Sequence, residues 1–366
     1  PLVKSHLLKH RIVAVDSFHF CPTASHQKLL CVLEEYTEQI RRNCYLKDST
    51  GVENSYVENL IYYIRPILSL WLYQIEVISN AIECHLPEKV VSVRPEPLHM
   101  EQSASIENNE RFIADIAGQI CNAKKIVFKS ISLQIDSKNF RKMISRFLKR
   151  TLSGILCSVI QKINNPEKKL IIAPAIDFQM DKVLNDLKRK FSDNYSLAVI
   201  GLSFKATFRN ICGLFTDYRP DYGFLPCHKN RNINGDSVFI EKRNKFSEKL
   251  FKIINGWKYR GVNLGSWLKQ RYKYSLESEI IDKTYGHSYN LNKYLDKWEP
   301  VFVLSQFSRM FSAVLGELCD LKNIPSMMIP HGSFTPAYDE YSEKEWKENA
   351  LGIINTPYKY VAVQTP

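Results

Sequence analysis

Five short apolar runs, separated by stretches of helical periodicity or by longer polar segments, constrain the fold of this chain more than any other feature. Lys169 to Ala173 (KLIIA), Ser196 to Gly201 (SLAVIG), Pro300 to Leu304 (PVFVL), Pro325 to Pro330 (PSMMIP) and Tyr358 to Gln364 (YKYVAVQ) read as buried strands. Between the first two, Met180, Val183, Leu184, Leu187 and Phe191 recur at helical spacing. Between the third and fourth, Val314, Leu315, Leu318 and Leu321 do the same within a helix over Phe311 to Leu321. A further helix is expected over Glu343 to Ile354. Strand, helix, strand in close succession requires a crossover, and crossovers join parallel strands. The pattern predicts an α/β fold, a doubly wound parallel sheet over 167–366, with strands at 169–173, 197–201, 301–304, 326–330 and 359–363.

The first half is read as a separate, helix-rich α/β unit over 1–166, accessory to the other, with the boundary at Asn164-Asn165-Pro166-Glu167. Arg11 to Val15, Lys89 to Val93 and Lys125 to Phe128 read as strands; Ala24 to Arg42, Val52 to Cys84, Asn109 to Ile120 and the basic Lys138 to Ile163 read as helices. The most apolar stretch, Leu60 to Ile82, contains Arg65, Pro66, Gln74 and Glu76. That is too polar for a membrane span, so a buried helix pair is expected there. Residues 202–237 read as a long loop, and 241–297 as two or three amphipathic helices broken near Gly256, Gly261 to Gly265 and Gly286.

The chain of 366 residues begins at Pro1 rather than Met and stops at Pro366 directly after an apolar run, so both ends read as cut. Its nine cysteines are scattered through apolar segments without a CxxC pair, which fits buried thiols in a reducing cytoplasm and argues against zinc. The formal net charge of +12 suits anionic partners, whether nucleotides, phospholipid headgroups at the inner membrane face or nucleic acid. Aromatic residues run through one basic stretch (Trp257, Tyr259, Trp267, Tyr272, Tyr274), a pattern that serves either base stacking or packing.

In parallel sheets ligands bind beyond the carboxyl ends of the strands. Two loops satisfy that rule. After PVFVL comes Ser305-Gln306-Phe307-Ser308-Arg309, and after PSMMIP comes His331-Gly332-Ser333-Phe334-Thr335-Pro336. Gly332 permits close backbone approach, Ser333 and Thr335 offer hydroxyl donors, Arg309 can fork onto a phosphate, and His331 can accept a proton near neutrality. Ser305 and Ser308 serve equally well as helix caps. Gln306, in the same loop, is a candidate ligand contact. Asp177, after KLIIA, and Glu340 are further candidate bases; Asp177 fits a helix N-cap better, and Glu340 fits also an exposed acid near the start of the next helix. No metal ligand set is expected, and no GxGxxG, Walker A, GxSxG or HExxH pattern occurs.

The strand ending in Pro330-His331-Gly332, then Ser333-Phe334-Thr335-Pro336, the acidic Asp339-Glu340-Tyr341, a helix with Trp346 and the strand YVAVQTP resemble the GT-B glycosyltransferases that build bacterial capsule and lipopolysaccharide chains. The SQFSR loop, apolar helix and IPSMMIP strand before them fit the same pattern. The segment is also similar to nucleotide-sugar 2-epimerases. The resemblance covers 298–366 well, 168–250 in general plan, and 1–165 not at all. It implies a Rossmann-like acceptor-side domain at 167–366, a nucleotide-sugar-binding domain after residue 366, and metal-independent transfer of sugar from a nucleotide-sugar co-substrate to a glycan or lipid-linked acceptor. It implies no cofactor beyond that co-substrate and no specific nucleic acid. The alternatives are an epimerase on the same architecture or a non-catalytic basic binding module.

Overall fold

The computed structural model describes residues 17–96, 113–134, 169–174, 186–187, 189–190, 194–201, 225–226, 235–330, 339–344 and 356–362. After a 3-10 turn at Ser17–Phe20 come helices α1 (Thr23–Asn43) and α2 (Asn54–His85), strand β1 (Lys89–Glu96), helix α3 (Ile113–Ala123) and strand β2 (Val127–Gln134). Strands β3 (Lys169–Pro174), β4 (Tyr195–Gly201) and β5 (Leu225–Pro226) follow, then helix α4 (Ser237–Ile254) and hairpin strands β6 (Lys258–Tyr259) and β7 (Val262–Asn263). The remainder is α5 (Leu264–Arg271), a π-helix (Tyr272–Asp282), α6 (Lys283–Trp298), β8 (Phe302–Ser305), α7 (Phe311–Leu321), β9 (Ser326–Met328) and β10 (Tyr360–Val361).

The fold is mixed α/β, and its main sheet has 6 strands in the order β10-β9-β8-β3-β4-β5. Every neighbouring pair is parallel. The five expected strands all take places in this sheet. From β3 the chain steps outward through β4 and β5, then returns to the other flank of β3 with β8 and steps outward again through β9 and β10. The order therefore reverses between β3 and β8. Ala173, Leu197 and Leu304 form the buried centre, with Ile171, Leu187, Phe302, Met327 and Ile329 packed around them.

By packing, the chain divides into two units drawn from separated stretches. One comprises Pro1–Asn43, Ile61–Ile135 and Glu248–Leu276; the other comprises Cys44–Leu60, Asp136–Ser247 and Glu277–Pro366. The expected boundary at 164–167 lies outside the described residues, as do the expected strand over 11–15 and the basic helix over 138–163.

Two local expectations need correction. Leu60 to Ile82 is not a helix pair: α2 runs unbroken from Asn54 to His85 with Pro66 inside it. A proline in a helix interior costs about 3 kcal/mol. Ile61, Ile64, Ile67, Leu68, Trp71, Leu72 and Ile75 are all at most 1% exposed, and each such burial contributes roughly 1.5–3 kcal/mol, so packing outweighs the break. Gly286 likewise breaks nothing; it lies buried within α6.

In the first unit, the β6–β7 hairpin turns through Arg260 (φ 47) and Gly261 (φ 82), the two left-handed positions of a tight hairpin turn. The turn aims Arg260 at Glu76 (3.1 Å) and Glu83 (2.6 Å) of α2. The Tyr259 hydroxyl donates to Glu76 at 2.8 Å. Trp257 stacks on Tyr36 at 4.3 Å, and the Tyr36 hydroxyl donates to the Lys258 carbonyl. Of the aromatics in this basic stretch, Trp257, Tyr259, Trp267 and Tyr272 are buried and Tyr274 is exposed, so four of them are packing residues.

Burial raises the Glu76 carboxyl, but the donors Tyr259, Arg260 and Asn80 outweigh it and hold the group below the usual glutamate range. A depressed acid stabilises the fold above its unfolded pKa of about 4.3 and loses that contribution as pH falls through its lower folded value. The melting temperature is therefore expected to fall more steeply below about pH 4.3 in the wild type than in Glu76→Gln. Parallel wild-type and variant profiles in a pH series of thermal melts would contradict this assignment.

Candidate functional site

The site is built from the carboxyl ends of β8 and β9, both in the second unit. Because these strands are parallel, with Val303, Leu304 and Ser305 opposite Ser326, Met327 and Met328, their carboxyl ends lie on the same side of the sheet. Pairing continues past β9: the Ile329 amide donates to the Ser305 carbonyl at 2.7 Å. This brings Pro330, the residue before His331, beside the β8 loop. β3, paired to β8 through Ile171 and Ile172, ends on the same side. The site thus lies beside the reversal of strand order between β3 and β8, the position at which open α/β sheets bind ligands.

Four of the sequence-derived residues stand together on the β8 loop. Ser305 is fully buried, and its hydroxyl donates to the Phe307 carbonyl at 2.8 Å, closing the loop on itself. Gln306 is 2% exposed, and its Oε1 has no hydrogen-bond partner. Ser308 is buried and Arg309 half-buried. Buried amide oxygens are almost always satisfied, so the Gln306 oxygen is the one buried side-chain atom of this loop with an unmet demand among the described residues.

The loop ends in a strained residue. Met310 has φ 49 and ψ −124, a conformation a side chain rarely adopts. It is held by Asn59, a buried residue of α2. The Met310 amide donates to Asn59 Oδ1 at 2.7 Å, and Asn59 Nδ2 donates back to the Met310 carbonyl at 3.4 Å and to Thr284 at 3.3 Å. The next helix, α7, is fixed from two directions. The Tyr358 hydroxyl donates to the Ser312 carbonyl at 2.6 Å. Burial drives that phenol far above its ordinary range, so it remains a donor. Gly316 lets the Tyr358 ring approach; a Cβ there would lie 2.7 Å from the ring. Glu317, one residue on, accepts backbone amides from the start of α2.

His331, Gly332, Ser333, Thr335 and Asp177 lie outside the described residues. Glu340 is exposed in the first turn of a helix, where its carboxylate accepts from Lys344 at 2.8 Å. The same helix start is capped reciprocally by Asp339 and Ser342. Asn59, Glu317 and Tyr358 shape the loop and were not foreseen. Only contacts across the chain identify them. A groove of about 400 Å³ runs along α3 in the first unit. Its Gln119 already accepts from the Asn263 amide, and it brings together no acid-base pair. Among the described residues no cluster of three or more metal-ligating side chains occurs, and no helix is long and apolar enough to cross a membrane.

No family model, curated protein or solved structure matches this chain.

Proposed function

We propose that the β8–β9 edge of the parallel sheet is the acceptor side of a GT-B-type glycosyltransferase site. Its substrate is a nucleotide sugar, and its product a lengthened cell-envelope glycan or lipid-linked saccharide made on the cytoplasmic side. The observation that carries this reading is the strand order. Numbered along the chain, the six sheet strands lie 3-2-1-4-5-6, the order of doubly wound nucleotide-binding sheets, with the β8 loop at the switch point. The sequence resemblance at 298–366 supports it independently.

The proposed chemistry is a displacement at the anomeric carbon. An acceptor hydroxyl oxygen forms the new bond, the bond to the diphosphate oxygen breaks, and the acceptor proton passes to a base. His331 is the proposed base, with Asp177 and Glu340 as the other candidates. Arg309 suits the developing negative charge of the diphosphate. The Gln306 carboxamide suits a sugar hydroxyl, which can both donate and accept.

The test is release of nucleotide diphosphate when the native protein is incubated with a panel of nucleotide sugars and saccharide acceptors. Gln306→Leu is expected to raise the acceptor KM by about ten-fold with kcat little changed, as loss of one ground-state hydrogen bond does. Interconversion of two nucleotide sugars without acceptor would replace this reading with the epimerase one. Absence of turnover with every donor would favour the binding-module reading.

A further inference from the structure

The first unit carries an open sheet face that the proposed chemistry does not use. β1 and β2 pair in parallel, with Lys89 opposite Val127, Val91 opposite Lys129 and Val93 opposite Ile131. Side chains alternate across a sheet, so these six residues share one face. The other face carries Phe128, whose ring packs against Gly118 of α3; a Cβ at that glycine would lie 3.2 Å from the ring. The first face is uncovered: Val91 is 51%, Val93 52%, Val127 61% and Ile131 49% exposed. Lys89 and Lys129 are exposed as well.

We infer that this face docks on an anionic lipid bilayer. Four β-branched side chains in water form an unfavourable surface unless something covers it. The two lysines, set diagonally among the valines, decide what that is. Docking on a second copy would bury four ammonium groups with no carboxylate among the described side chains of the face to pair them. A bilayer surface accommodates both kinds of group. The branched side chains enter the headgroup–acyl boundary, while the lysine stems lie along the apolar surface and carry their charges to lipid phosphates. The net charge of +12 supplies long-range attraction to the same surface. The inference does not depend on the glycosyltransferase reading, because plain phospholipid contains no sugar acceptor.

The experiment is co-sedimentation of the full chain with vesicles of phosphatidylcholine alone and of phosphatidylcholine mixed with phosphatidylglycerol. The chain is expected to bind the mixed vesicles and to release as salt rises. Lys89→Gln with Lys129→Gln should weaken partitioning by roughly 30-fold, on the scale of two surface lysines. Val91→Ser with Ile131→Ser should weaken it by roughly ten-fold. Both pairs are exposed, so the circular dichroism spectrum and melting temperature should be retained. Failure to bind anionic vesicles overturns the inference, as does binding that survives both double variants. Sedimentation velocity supplies a third reading: a dimer that Val91→Ser with Ile131→Ser dissociates would assign the face to self-association instead.

Discussion

Replacing Glu317 by alanine is expected to destabilise the second unit by about 3–5 kcal/mol, as removal of a buried, multiply bonded charge does. Its carboxylate is 6% exposed and receives four hydrogen bonds from one helix start. The amides of Glu53, Asn54 and Ser55 donate at 2.8, 2.9 and 2.9 Å, and the Ser55 hydroxyl donates at 2.6 Å. The first amides of a helix have no partner within it, and the helix dipole favours a negative charge there. Glu317 supplies both from α7. Alanine would leave all four donors without this partner, the two on Ser55 buried. Glutamine keeps one acceptor oxygen, so Glu317→Gln should lose about 2 kcal/mol, less than alanine. Chemical denaturation of the three proteins checks the order. Equal stability of Glu317→Ala and wild type would show that water replaces the carboxylate without cost.

The second large effect is expected at Gly265, in the first unit. A Cβ built there lies 1.8 Å from the Ile254 carbonyl oxygen and 2.8 Å from its carbon. Both are backbone atoms at the end of α4, so no rotamer change relieves the overlap. The approach is fixed by the amides of Leu264 and Gly265, which both donate to the Trp257 carbonyl, at 3.0 and 3.2 Å. Trp257 is in turn held by its indole N–H on Gln39 at 2.8 Å. Gly265→Ala is expected to cost at least about 3 kcal/mol, the upper part of the overpacking range. Thermal melting followed by tryptophan fluorescence measures it. A loss under about 1 kcal/mol would mean that the hairpin and α5 shift apart freely.

Five of the six strands were legible because they are apolar runs marked off by polar or proline residues; β5, only Leu225–Pro226, falls in the stretch 202–237 that reads as a loop. Phe311 to Leu321 was legible to the residue because its apolar positions repeat at helical spacing over a full length. The candidate loop was legible as a place, since a polar segment after a parallel strand opens at the sheet edge. Its internal mechanics were not. Asn59 grips Met310 from 251 residues away, and Glu317 caps a helix 262 residues upstream at Ser55. No local pattern marks either residue. The division into units was hidden for the same reason: Tyr36 bonds to Lys258 across 222 residues, so a cut at one point in sequence does not follow the packing. Pro66 misled because local propensity was weighed without the burial that overrides it. Ser305 was open to two readings, and its hydroxyl is engaged by the loop itself.

The central claim is that the carboxyl end of the sheet beside the strand-order reversal, where the β8 loop lies, binds the acceptor in sugar transfer. The chain has six methionines, of which Met310 ends that loop and Met327 and Met328 lie in β9 beside it. Methyl-labelled methionine therefore reports on the site directly by NMR, with Met310→Leu assigning the key signal. Titration with short saccharide acceptors is expected to shift the Met310 methyl, and Gln306→Leu to weaken binding by about ten-fold. Ligand that perturbs other methionines while leaving Met310 unmoved would place the binding site elsewhere and contradict the account.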